Sequence, residues 1–135
     1  MAVEETVYGL RTEVASTLEE ALARTREALK QEGFGVLTEI DVKQALKEKI
    51  GVDFRAYRIL GACNPQLAHQ ALTRELEIGL LLPCNVIVYE QGTGCVVAAL
   101  DPEKALEVAK NPQLADLARE AKARLERAVA ALGRQ

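Results

Sequence analysis

Two of the three cysteines are followed by asparagine, Cys63-Asn64 and Cys84-Asn85, and the one histidine, His69, comes shortly after the first pair. A thiol within reach of an imidazole is the equipment of nucleophilic or redox chemistry, with Cys63 as nucleophile, Cys84 as a second or resolving thiol and His69 as base. The same three side chains could hold a metal, but Cys63 and His69, with the next cysteine far downstream, match no strong ligand spacing. No metal and no cofactor is therefore assigned. Each candidate also has a plain structural reading. Free cysteine packs as a small buried hydrophobe. His69 falls beside Gln66 and Thr73 on a helical wheel, which suits a polar helix flank. Cys95 lies inside an apolar run and reads as core.

What could bring these groups together is set by the pattern around them. Alternation predicts a first strand from Thr6 to Val14. Ser16-Thr17-Leu18-Glu19 has capping-box spacing, and Leu18, Leu22, Thr25 and Leu29 then recur at helical intervals up to Gly33. Phe34 to Asp41 reads as a second strand. Asp41 can cap a short helix carrying Val42, Ala45, Leu46 and Ile50, and Gly51 ends it. Arg55 to Cys63 reads as a third strand. Asn64-Pro65 then opens a helix to about Glu75, because asparagine caps orphan amides and a proline at the first helical position loses no bonded N–H. Cys84–Gln91 and Gly94–Leu100 pair as a hairpin around Gly92-Thr93. Asp101-Pro102 and Asn111-Pro112 repeat the cap-plus-proline device, opening a short helix and a long one over about residues 112–132.

The order βαβαβαββαα implies one α+β domain over residues 1–135. Its expected form is two-layer, a mostly antiparallel five-stranded sheet with helices on one face. The long helix carries Leu114, Ala118, Ala121, Leu125, Ala128 and Leu132 as a heptad-like stripe, short and half alanine, which suits a helix lying across its own sheet. The two thiols meet only under one topology. If the third and fourth strands are adjacent and antiparallel, Cys63 and Cys84 share one sheet edge; if parallel, they lie a strand length apart. Cys63 also precedes a helix N-terminus, whose dipole and free amides favour a thiolate and would welcome an anion.

Composition removes most other classes. In 135 residues, 49% are hydrophobic and 27% charged, with no long uncharged stretch, which argues against disorder and a membrane span. A net charge of −3 argues against a nucleic-acid partner, and 4% aromatics with no tryptophan leave little for base stacking. Glycine patches such as Gly33-Phe34-Gly35 follow a helix rather than open one, and no phosphate loop is present. Arg55, Arg58, Lys47 and Lys49 are offset by Glu48 and Asp53, a solvated mixed face. An odd number of cysteines without a C-x-x-C pair argues against a secreted disulfide framework, and MAVEETVYGL lacks the basic and apolar regions of a signal peptide. The expected location is the cytoplasm. Abundant Ala, Leu, Glu and Arg with a single serine resemble heat-adapted compositions.

Three ordered runs carry a family resemblance: Glu32-Gly33-Phe34-Gly35-Val36-Leu37-Thr38-Glu39-Ile40-Asp41-Val42, Tyr57-Arg58-Ile59-Leu60-Gly61-Ala62-Cys63-Asn64-Pro65 and Gly79-Leu80-Leu81-Leu82-Pro83-Cys84-Asn85-Val86. Over about residues 4–107 the chain resembles the domain of unknown function 302 family. The resemblance implies a two-layer α+β fold grouped with TATA-binding-protein-like folds, usually a homodimer, with no assigned activity. Its motif residues coincide with Cys63, Asn64, Pro65, His69, Pro83, Cys84 and Asn85. The resulting expectation is a cytoplasmic, homodimeric module that binds or senses a small ligand or anion at Cys63, Asn64, His69, Cys84 and Asn85, with no nucleic acid or membrane as partner. Two alternatives stand beside it. One is a thiol-dependent enzyme or sulfur or redox carrier using Cys63 and Cys84; the other is an assembly protein with no ligand.

Overall fold

The computed structural model describes residues 3–133. Its strands are β1 (Glu4–Glu5), β2 (Gly9–Val14), β3 (Gly35–Asp41), β4 (Tyr57–Cys63), β5 (Cys84–Gln91) and β6 (Gly94–Leu100). They form one sheet in the order β1-β2-β6-β5-β4-β3, every neighbouring pair antiparallel. The helices are α1 (Leu18–Gln31), α2 (Val42–Ile50), α3 (Pro65–Arg74), α4 (Pro102–Leu106) and α5 (Ala115–Leu132). Short 3₁₀ segments cover Leu76–Leu81 and Pro112–Leu114.

Six strands replace the five expected. The extra one, β1, is two glutamates, which carry no alternation; it is held by pairing Glu4 with Arg11, whose guanidinium also binds the Glu4 carboxylate at 2.9 Å. The chain between β1 and β2 turns where Thr6 N–H donates to Gly9 O at 2.7 Å, so β2 begins three residues later than alternation predicts. The α1 cap also moves by one residue. Thr17, not Ser16, accepts from Glu20 N–H at 3.2 Å, while the Ser16 hydroxyl donates to Thr17 O. The Asn111-Pro112 start gives one 3₁₀ turn before α5 proper.

The period-two pattern divides the sheet into faces. Leu10, Thr12 and Val14 of β2, Leu60 and Ala62 of β4, Val86 and Val88 of β5, and Cys95, Val97 and Ala99 of β6 are buried. Most of them form one cluster with Leu18, Ala21, Leu22 and Leu29 of α1 and Leu125, Ala128, Val129 and Leu132 of α5. The stripe on α5 therefore serves the chain's own core, with α5 packed on α1, β2 and β6. Cys95 is core, as its apolar surroundings predict, and its thiol donates to Ser16 O at 3.5 Å. On the other face, Tyr57 and Tyr89 stack across β4 and β5 at 5.3 Å, with Ile59 and Ile87 beside them in register.

The hairpin between β5 and β6 turns at Gly92, φ 61°. β3 lies at one edge and carries a bulge at Leu37, between Val36 and Thr38. The basic residues around β4 are paired as a mixed face: Arg58 reaches Glu39, Asp41 and Glu19, and Lys47 reaches Asp53 at 3.1 Å. Among the described residues, no helix is long and apolar enough to cross a membrane.

Leu125 is fully buried between α1 and the sheet, whereas Leu37 is 68% exposed on the bulge. Leu125→Ala is expected to cost about 2–5 kcal/mol in urea unfolding, and Leu37→Ala less than about 0.5 kcal/mol. Equal losses would show that the core is not where this packing puts it.

Candidate functional site

The pairing of β4 with β5 resolves the topological question in favour of proximity. Ala62 stands opposite Cys84, so the end of β4 and the start of β5 lie side by side. Beyond Cys63 the chain turns into α3. Asn64 is the cap, its Oδ1 accepting from Leu67 N–H at 3.2 Å, and Pro65 takes the first helical position. On the neighbouring strand, Cys84 follows Pro83, which is joined to Leu82 by a cis peptide bond.

These strand ends border a cavity of about 70 Å³. Its walls come from α3 through Leu67, Ala68 and Ala71, from the 3₁₀ segment and Leu82-Pro83, and from α4 and α5. Ala105, Ala118 and Ala121 on the last two elements leave the space. Asn64 is the one lining residue with a side-chain nitrogen or oxygen, and Cys63 and Cys84 supply the two sulfurs. The remaining wall is hydrocarbon.

The α4 wall is pinned by charge. Asp101, 1% exposed, caps α4 by accepting from Glu103 N–H at 2.9 Å, and its other carboxylate oxygen lies 3.2 Å from Lys122 Nζ on α5. The Asp101 carboxylate, with Glu5 and Glu103 nearby, holds the Lys122 ammonium protonated well above the ordinary lysine range. This pair, a buried carboxylate and a partly exposed ammonium, ties α4 to α5 at the back of the cavity.

Of the five residues that the sequence nominates, the structure brings three together, Cys63, Asn64 and Cys84. His69 is exposed on the outer side of α3 and does not line the cavity, so the Cys63–His69 nucleophile and base pair is not assembled. Asn85 is exposed too, opposite Gly61 in register, on the sheet face away from the core residues Leu60 and Val86. Strand alternation explains the loss, because Asn85 follows Cys84 and must point the other way. Among the described residues, no group of three His, Cys, Asp or Glu side chains could hold a metal ion.

Burial opposes the expected activation of Cys63. Desolvation pushes its thiol upward, and pushes Cys84 up to about 11, with the neighbouring Cys63 adding to the effect. At the α3 N-terminus the Asn64 side chain takes the Leu67 N–H and Pro65 offers none, which reduces the donors an anion could meet. Sequence reasoning missed the apolar walls, especially Leu81, Leu82, Leu106 and Leu117.

A family model described as "Domain of unknown function DUF302" matches residues 10–132. The chain belongs to this family. The DUF302 match runs through α5, so the long C-terminal helix lies inside the family region rather than beyond it, as a boundary near residue 107 had implied. A solved structure described as an uncharacterized conserved DUF302 protein from Bacillus stearothermophilus is 32% identical, with a TM-score of 0.87 over 94% of this chain and 99% of that one. No curated protein matches the chain. Membership of DUF302 establishes the α+β fold with its antiparallel sheet and leaves the chemistry of the cavity to be argued from its residues.

With its thiol at about 11, Cys84 carries roughly 300-fold less thiolate at neutral pH than free cysteine at about 8.5. Iodoacetamide labelling mapped by mass spectrometry is expected to be slow at Cys84 at pH 7.5 and to accelerate up to about pH 11. A labelling midpoint near pH 7 at Cys63 or Cys84 would restore the nucleophile reading.

Proposed function

We propose that this DUF302 protein is a binding or sensing module that receives a small, mainly apolar ligand in the cavity between β4, α3, α4 and α5. The observation that carries this reading is the lining: hydrocarbon throughout except for Asn64 and two protonated thiols. An apolar cavity favours an apolar guest, since a charged one would surrender its hydration for few partners. Of the two ligand classes expected from sequence, the small ligand is retained and the anion set aside. Catalysis by Cys63 or Cys84 is disfavoured by the same burial.

A homodimer remains part of the proposal, resting on a different observation. Tyr57, Ile59, Ile87 and Tyr89 lie half-buried on the sheet face opposite the core, and Ile40 at the β3 edge is 50% exposed. Five long strands at about 4.8 Å spacing and seven residues of about 3.3 Å span roughly 550 Å² in plan. Side-chain relief brings this near the about 800 Å² that each partner contributes to a standard interface. A second copy, meeting face to face, is the occupant that suits an apolar centre repeated on both sides.

Two experiments separate the claims. Benzene and short aliphatic alcohols are expected to raise the melting temperature of the wild type, whereas Ala68→Phe, which fills the cavity, loses the shift at a stability cost of about 1–3 kcal/mol. Stabilisation by phosphate or sulfate but not by apolar probes would sink the ligand reading. For the dimer, Ile87→Glu is expected to convert the species seen by light scattering to a monomer with unchanged circular dichroism. An unchanged mass would remove this face as the interface.

A further inference from the structure

We infer that the Asn64 side-chain amide selects the guest of this cavity by donating one hydrogen bond from Nδ2, and that the guest is a compact hydrocarbon bearing a single acceptor oxygen: a small ketone, ester or ether. The inference rests on the cavity reading above and adds to it the group that the guest must present.

Asn64 is 8% exposed, and among the described residues it is the one wall residue whose side chain carries nitrogen or oxygen. The two ends of its amide are used unequally. Oδ1 accepts from Leu67 N–H at 3.2 Å, which fixes the orientation of the amide and leaves Nδ2 as the other end. Among the described residues, Nδ2 has no acceptor. Its neighbour is Gly33, φ 84°, where a Cβ would stand 3.0 Å from Nδ2 and 3.4 Å from Arg124 Nη1. Arg124 cannot serve Nδ2, because a guanidinium only donates and its Nη1 already donates to Glu32 O at 3.2 Å. A buried donor left unmatched is costly, so a guest that brings an acceptor relieves the wall as well as filling the space.

The same wall defines the rest of the guest. A net charge would lose its hydration against Phe34, Leu67 and Leu117. A hydroxyl would bring a donor of its own; Oδ1 is already engaged and protonated thiols are weak acceptors, so that hydrogen finds little to meet. A carbonyl or ether oxygen asks only for a donor. At about 70 Å³, the cavity limits the skeleton to a few heavy atoms.

Butanone and 2-methylbut-1-ene share a shape and differ in C=O against C=CH2, so titrating each into the nitrogen-15-labelled full chain isolates the acceptor. Butanone is expected to move the Asn64 side-chain NH2 resonances downfield. The alkene is expected to shift the backbone amides of Leu67 and Ala68 without that movement, and the comparison needs only the wild type. Asn64→Asp keeps an oxygen to cap α3 and removes the donor. It is expected to weaken butanone about tenfold and the alkene less than about threefold. An Asn64 NH2 signal unmoved by bound butanone, or equal losses of the two probes in the variant, would overturn the assignment and leave the apolar cavity standing. If neither probe binds while benzene still protects the wild type and not Ala68→Phe, this inference alone falls; if benzene fails as well, the cavity reading falls with it.

Discussion

The antiparallel pairing of β4 with β5 is the constraint on which the site rests. Antiparallel neighbours place the end of one strand beside the start of the next, and the register Ala62 opposite Cys84 then decides which residues meet. A parallel pair would have carried the two thiols to opposite ends of the sheet. A shift of one residue would have exchanged Cys84 for Asn85, turning a sulfur-lined cavity into an amide-lined one. The register is held from both sides. Leu60 and Val86 meet on the core face, Tyr57 and Tyr89 stack on the other, and a side chain on Gly61 would come within 2.3 Å of Thr38 Oγ1 and 2.9 Å of Pro83 Cγ.

Two effects compete at Cys63, and burial prevails. A helix start beside a thiol lowers its pKa when the amides are unclaimed and water is near. In this fold the Asn64 cap claims the Leu67 N–H, Pro65 has none to offer, and the hydrocarbon wall withdraws solvent from the sulfur. The outcome is a pair of protonated thiols suited to meeting a ligand rather than attacking one. Charge is placed behind the site instead, where Asp101 and Lys122 fix α4 against α5.

Local chemistry made much of the fold legible. The Asn64-Pro65 and Asp101-Pro102 starts, the Gly33 and Gly51 ends, and the Gly92 turn all depend on single residues whose conformational preferences act within a few positions. β1 was not legible because two glutamates become a strand only when β2 is there to pair with them. At the site, Cys63, Asn64 and Cys84 could be nominated from their positions at element ends. Asn85 could have been rejected by alternation alone. His69 needed only its place on the wheel, which already faced it outward, to be separated from the thiols. The walls supplied by α4 and α5 were out of reach, because what assembles them is packing across the whole chain, and an alanine next to a void has the same sequence signature as an alanine next to a neighbour.

The two ends of the sheet bear on the behaviour of the protein at high concentration. One edge is β1, two residues long and carrying two exposed glutamates; the other is β3, kinked by its bulge at Leu37. Short length, like charge and a broken hydrogen-bond ladder each oppose the lateral addition of a foreign strand. Fibrillar growth through the sheet is thereby discouraged at both margins, in a chain of which 49% of the residues are hydrophobic.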